Sequence, residues 1–253
     1  MDAKELLEKY ANGQRNFKGQ NLIAVDLKAA ELPFIILERA NLRGANLSGA
    51  NLIGADLHRT NLEKASLIGA NLSYLQYGAA NFSEADLSGA DLREANLNDA
   101  NFTDANLNNA NLSNATLNEA ELHRANLTSA NLSQAELQKA TLLQANLQEA
   151  KLVLTNLFQA NLSESNLTDA ALQRANLKLT NLRKSCLQGA RLEGADLEEA
   201  ILIGANLNQA KMMGVNLMSA NIYGASFEET DLTGAIMPDG KIYQLETSNQ
   251  QSK

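Results

Sequence analysis

A chain of 253 residues with a formal net charge of −8, 45% hydrophobic residues and no tryptophan is long enough for one or two domains. Its single cysteine, Cys186, excludes an intramolecular disulfide and a CxxC motif, and no apolar run approaches the length of a membrane span. No segment reads as a signal peptide, so a cytoplasmic location without membrane contact is expected.

Residues 1–16 read as a helical cap. Asp2 followed by Glu5 has the spacing of a capping box, Leu6, Leu7 and Tyr10 share one apolar face, and Gly13 ends the helix. A helix of this length is not stable alone, so it is expected to dock on the start of the adjoining segment.

One pattern governs residues 17–240. Every fifth residue from Leu22 to Met237 is Leu or another large apolar residue, making 44 units without a slip, 37 of them centred on Leu. A small residue, nearly always Ala, sits two positions before each centre, as in Ala40-Asn41-Leu42-Arg43-Gly44. On an α-helix a five-residue spacing carries successive Leu side chains around the axis, and on a flat strand it sends them to opposite faces. Keeping them all inside requires the chain to turn once per unit, and a stack of such turns is a solenoid. Asn precedes the centre in 22 units and Asp in six, types that suit tight turns and can stack as amide ladders. Gly recurs two residues after the centre, at Gly44, Gly49, Gly54 and Gly69 among others, where a corner is needed.

The run Ala45-Asn46-Leu47-Ser48-Gly49-Ala50-Asn51-Leu52 resembles the A(D/N)LXX signature of pentapeptide-repeat proteins, and the resemblance extends over residues 17 to 237. It implies an all-β chain folded as a right-handed quadrilateral β-helix, the Rfr fold, with one unit per side and twenty residues per coil. The 44 units would then make about eleven coils, and at about 4.8 Å per coil a rod of roughly 53 Å. The short helical start and the ending Gly-Ala-Ile-Met-Pro-Asp-Gly resemble cyanobacterial members of the family.

Two stretches depart from the small-then-large rule. Ile35-Ile36-Leu37, after Pro33-Phe34, places Ile where Ala belongs and reads as an irregular first coil meeting the cap. Tyr74-Leu75-Gln76-Tyr77-Gly78 places large residues at both inward positions, which predicts a bulged side relieved at Gly78. In the four-sided arrangement Phe82 and Phe102 lie on one side a coil apart, as an aromatic stack in the core. Pro238-Asp239-Gly240 reads as a turn, Lys241-Ile242-Tyr243 as a short strand, and the polar residues after Glu246 as a disordered tail, so that 241–253 form a terminal segment.

The chain offers little chemistry. His58 and His123 each follow a central Leu and face outward, on different sides and about three coils apart, so they cannot share a metal ion or form a dyad. No HExxH, Walker or GxSxG motif is present, and a convex rod lacks the concave pocket that catalysis uses. No enzyme activity, catalytic residue, metal or cofactor is therefore expected; an enzyme would need a pocket at the 74–79 bulge. Cys186 occupies an outward position usually held by Asn and reads as a solvent-facing passenger.

Charge is segregated along the chain. Between Asn81 and Glu121, Glu84, Asp86, Asp91, Glu94, Asp99, Asp104, Glu119 and Glu121 stand against Arg93 alone, a net −7. Between Arg174 and Arg191 there are five cations and no acid. Folded onto four sides, Lys151, Arg174, Arg191 and Lys211 share one side with Val153, Leu154 and Met213, a basic surface with exposed apolar residues. Phe158, Leu179 and Met218 on the adjoining side extend it. These features point to a protein-binding module whose partner is another protein, with no direct nucleic-acid contact. The alternative, implied by the resemblance, is a DNA mimic that binds a type II topoisomerase. Duplex DNA of the rod's length carries roughly 31 negative charges, against −8 here, and Lys241 to Lys253 offers no apolar helix of the kind through which such mimics dimerise.

Overall fold

The computed structural model describes residues 1–244. A nine-residue helix, α1 (Ala3–Ala11), leads into a right-handed square coil. In this coil the residue before the core position forms a parallel bridge to its equivalent twenty residues on, from Asn16↔Ile36 to Asn216↔Ile236, interrupted only at residue 76. Coil 1 comprises residues 20–39 and coil 11 residues 220–239. The four sides of every coil take, in chain order, the positions of Leu22, Leu27, Leu32 and Leu37 in coil 1.

The five-residue unit closes its hydrogen bonds in a fixed way. The core residue's amide reaches the next coil (Leu22 N–H to Asn41 O, 2.7 Å), and the amide before it reaches the previous one (Asn41 N–H to Gln20 O, 2.9 Å). A third bond turns the corner (Ala45 N–H to Leu42 O, 2.9 Å). The corner residue, two after each centre, is left-handed: Gly44 has φ 64° and Gly89 φ 65°. Lys139 (φ 57°) and Gln144 (φ 58°) hold the same conformation without glycine's freedom. Each such residue costs about 1 kcal/mol, which the stacked hydrogen bonds on either side offset.

Leu and Ala fill the interior and are essentially inaccessible through the middle coils, while the last coil's Ile222, Ala225, Phe227 and Met237 are only partly buried. Phe82 and Phe102 stack in the interior with ring centroids 4.9 Å apart and planes within 3°. Where Thr replaces the small residue, its hydroxyl donates to a core carbonyl, as Thr60 does to Leu37 O at 2.7 Å and Thr155 to Leu132 O at 2.8 Å. That satisfies a polar atom which burial would otherwise penalise. The Asn column caps its own corner and also pairs between coils: Asn61 Oδ1 accepts the Glu63 amide (3.0 Å) and the Nδ2 of Asn81 (3.2 Å). Cys186 occupies this column half-buried, its Sγ 3.3 Å from Thr168 Oγ1, and is less solvent-facing than its outward position suggests.

At the start, Asp2 accepts the Glu5 amide at 2.8 Å, Leu6 is fully buried, and the Tyr10 hydroxyl donates to Pro33 O at 2.7 Å. Leu7 is exposed, so the docked face is Leu6 and Tyr10 without it. The first coil is regular: Ile35 is fully buried in the small-residue position, and Ile36 bridges both neighbours. Ile35 is thus accommodated without a break in the backbone ladder. At the other end Gly240 closes a turn onto Met237 O (2.8 Å), and Ile242 pairs antiparallel with Ile236. The tail expected after Glu246 lies outside the described residues.

Candidate functional site

The third side of coils 7 to 10 brings the sequence-derived surface residues together. Successive bridges join Lys151 to Ala171, Ala171 to Arg191 and Arg191 to Lys211, so these positions form one column one coil apart. Lys151, Arg174, Arg191 and Lys211 are all exposed, and among the described residues none of the four makes an ion pair. Leu154 (48% exposed) and Met213 (52%) lie on the same side, and Val153 is half-buried beside them. Leu154 and Arg174 stand on left-handed corners (φ 60° and 57°), which project their side chains outward from the edge of the side. Leu179 and Met218 on the fourth side are likewise exposed, and Phe158 is half-buried.

Gln173 and Glu193 sit between these cations, one above the other, and sequence reasoning did not single them out. Gln173 Oε1 and Glu193 Oε2 are buried with no hydrogen-bond partner. One carboxylate oxygen of the half-buried Glu193 is thus turned inward, between the exposed basic side chains. Lys178, counted along the chain with the basic stretch, is held differently. Glu198 (2.7 Å) and Asp196 (3.1 Å) of the next coil neutralise it, and their hydrogen bonds raise its pKa.

The acidic window is similarly answered in space. Glu84 pairs with Lys64 (3.5 Å), Asp91 with Arg93 (2.6 Å), Asp104 with Arg124, and Glu119 with Lys139 (3.7 Å). Hydrogen bonds from the two arginines hold the Asp91 and Asp104 carboxyls below the usual carboxylate range. Apart from Arg93, the partners lie one coil before or after the acids, which is why a count along the chain overstates the free negative charge.

The second feature is at the 74–79 stretch. Leu75 is buried (3%) and takes the inward space, while Tyr77 is expelled from the core position and is 56% exposed. The conflict of two large residues is thus relieved by ejecting one side chain, not by widening the coil around both. The bridge that would join Asp56 to residue 76 is absent, and so is the one from residue 76 to Asn96. In coils 2 to 10, the amides that lack the usual backbone acceptor are those of Leu57, Arg59, Leu75, Tyr77 and Ala80. The ejected ring stands edge-on to His58, with centroids 6.5 Å apart. Together with Glu38, Asp56 and His58 it lines an open notch of about 300 Å³ on the fourth side. The rod is thus locally concave here, although the notch is open to solvent. The signal was in the sequence, as a Leu in an Ala slot and then a Tyr in a Leu slot, but His58 and its carboxylate neighbours were not connected to it.

His58 and His123 are on different sides, and among the described residues no group of three His, Cys, Asp or Glu side chains is placed to hold a metal ion. Among the described residues no helix is long and apolar enough to cross a membrane.

Comparison with known proteins supplies the family context. A sequence profile described as pentapeptide repeats matches residues 35–73, 80–119 and 200–237, and one described as a pentapeptide repeat region matches 120–197. The chain is 36% identical to HetL, a pentapeptide repeat protein involved in heterocyst differentiation regulation from the cyanobacterium Nostoc sp. strain PCC 7120. That alignment covers 96% of this chain and all of HetL, with a TM-score of 0.67. Rfr23 from the cyanobacterium Cyanothece 51142 is 35% identical over 42% of this chain and 62% of its own, with a TM-score of 0.16. QnrB1, a plasmid-mediated fluoroquinolone resistance protein, is 16% identical over 85% of this chain and 90% of its own, with a TM-score of 0.34. No curated protein matches the chain.

Proposed function

The chain belongs to the pentapeptide-repeat family, and from that premise we propose that it is a non-catalytic regulator that binds another protein through the third side of coils 7 to 10. The observation that carries this reading is a column of three unpaired cations, Lys151, Arg191 and Lys211, with the corner residue Arg174 beside it, flanked by exposed Leu154 and Met213. Elsewhere on the rod many charges are answered by a neighbouring coil. A charge left unpaired beside exposed apolar area is what a complementary acidic partner would cover, with the apolar residues as the buried centre. The similarity to HetL, a protein involved in a regulatory process, supports a regulatory role here too.

The DNA-mimic alternative is less well supported by the same geometry. Mimicry needs a dense unpaired acidic stripe, and Glu84, Asp91, Asp104 and Glu119 are each paired with a cation. Affinity capture from native lysate, comparing the unaltered rod with Arg174→Glu/Arg191→Glu, separates the readings. The proposed function predicts a captured protein that the double variant loses. Capture of topoisomerase subunits by both forms would reject it in favour of mimicry.

A further inference from the structure

The notch on the fourth side is independent of the basic column, since it lies on coils 1 to 3, away from coils 7 to 10. We infer that it is a binding site for the guanidinium group of an arginine carried on a partner polypeptide.

The side chains that line it present hydrogen-bond acceptors. His58 Nδ1 is 3.0 Å from Gly78 O, and a carbonyl can only accept, so Nδ1 carries the hydrogen. In the neutral ring that leaves Nε2 as a bare acceptor. Asp56 Oδ1 accepts the His58 amide at 2.9 Å, and among the described residues Asp56 makes no ion pair. Glu38 is partly satisfied by Lys18 at 2.8 Å and Arg39 at 3.5 Å, so Asp56 is the carboxylate left to answer an incoming cation.

The spread of these groups decides the class of ligand. They do not converge closely enough to hold a metal ion, yet they share one open space of about 300 Å³. A planar group with several N–H donors spans such a set, and the exposed Tyr77 ring offers a face on which it can stack. An ammonium, as a point charge, would meet one acceptor at a time. The amide of Arg59, an exposed residue next to His58, has lost the carbonyl of residue 78 that the regular coil would supply, whereas Leu57 is buried with its amide. The Arg59 amide is a donor for a peptide's own carbonyl, which favours an arginine within a polypeptide over the free amino acid.

The chain has two histidines, so proton NMR of their rings reads the site directly, with His123 as the internal control. The probe is acetyl-Gly-Arg-Gly-amide, titrated against the full chain at constant pH and salt. A saturable shift of the His58 ring signals is expected, with His123 unmoved and no response to the isosteric citrulline peptide. Asp56→Asn should weaken binding about fivefold, and Tyr77→Ala about two- to fivefold at unchanged thermal stability, because Tyr77 lies outside the core. Absence of a His58 shift, an equal response to citrulline, or undiminished binding by Asp56→Asn would overturn the assignment. Free arginine binding as tightly as the peptide would overturn the polypeptide source.

Discussion

Gly89 and Gly78 are both glycines of the coil, for different physical reasons. Gly89 is a left-handed corner at φ 65° with open space where a Cβ would stand. Gly78 has no left-handed φ, but a Cβ there would meet Asn98 O at 2.1 Å and Asn98 N at 2.9 Å, both backbone atoms. Gly89→Ala should therefore cost about 1 kcal/mol, the strain of one corner that Lys139 and Gln144 already tolerate. Gly78→Ala should cost more, about 1–3 kcal/mol, because the backbone of the next coil must move. Urea denaturation of the two variants checks this. Equal losses would mean that close approach to Asn98 is not what requires glycine at position 78.

At the level of the unit, the 74–79 side is a local conflict between two packing rules. Leu75 and Tyr77 compete for one inward volume; Leu75 wins it, and five amides lose their acceptors. Restoring the small-then-large order with Leu75→Ala/Tyr77→Leu should return this side to the regular ladder. Recovered hydrogen bonds at about 0.5–1.5 kcal/mol each predict a gain of about 2 kcal/mol or more, with slowed amide exchange at Leu57 and Arg59. Unchanged exchange at those two amides would contradict the competition between Leu75 and Tyr77 as the cause of the bulge. The same segment marks where sequence reasoning stopped. A five-residue period with Ala and Leu in fixed slots prescribes the coil, and the Phe82–Phe102 stack results from placing them twenty residues apart. The residues Leu75 and Tyr77 announce a conflict but not its outcome. Which side chain leaves the core depends on the packing of coils 2 and 4 around it, and that is not written in a one-dimensional repeat. For the same reason the notch was not legible: Glu38, Asp56 and His58 are ordinary outward residues until Tyr77 lands beside them.

Over the whole molecule, charge is balanced between coils more than along the chain. Ion pairs such as Lys64–Glu84 and Lys139–Glu119 join positions twenty residues apart, so the acidic window of the sequence is partly neutralised on the rod. The basic column on the third side was legible because Lys151, Arg191 and Lys211 fall in register with the coil period, and among the described residues they form no ion pair. The inward turn of one unpartnered Glu193 oxygen was not legible, since the repeat gives that position an outward side chain. The most direct test of a working third side is site-specific photo-crosslinking in native lysate. A photoreactive residue would be placed at Leu154 or Met213, and at Ile23 or Ile68 on the first and second sides, where exposure is comparable at 48%, 52%, 53% and 47%. A working third side predicts one protein adduct that forms from Leu154 and Met213 and not from Ile23 or Ile68. Adducts forming equally from all four positions, or only from the other two sides, would contradict it.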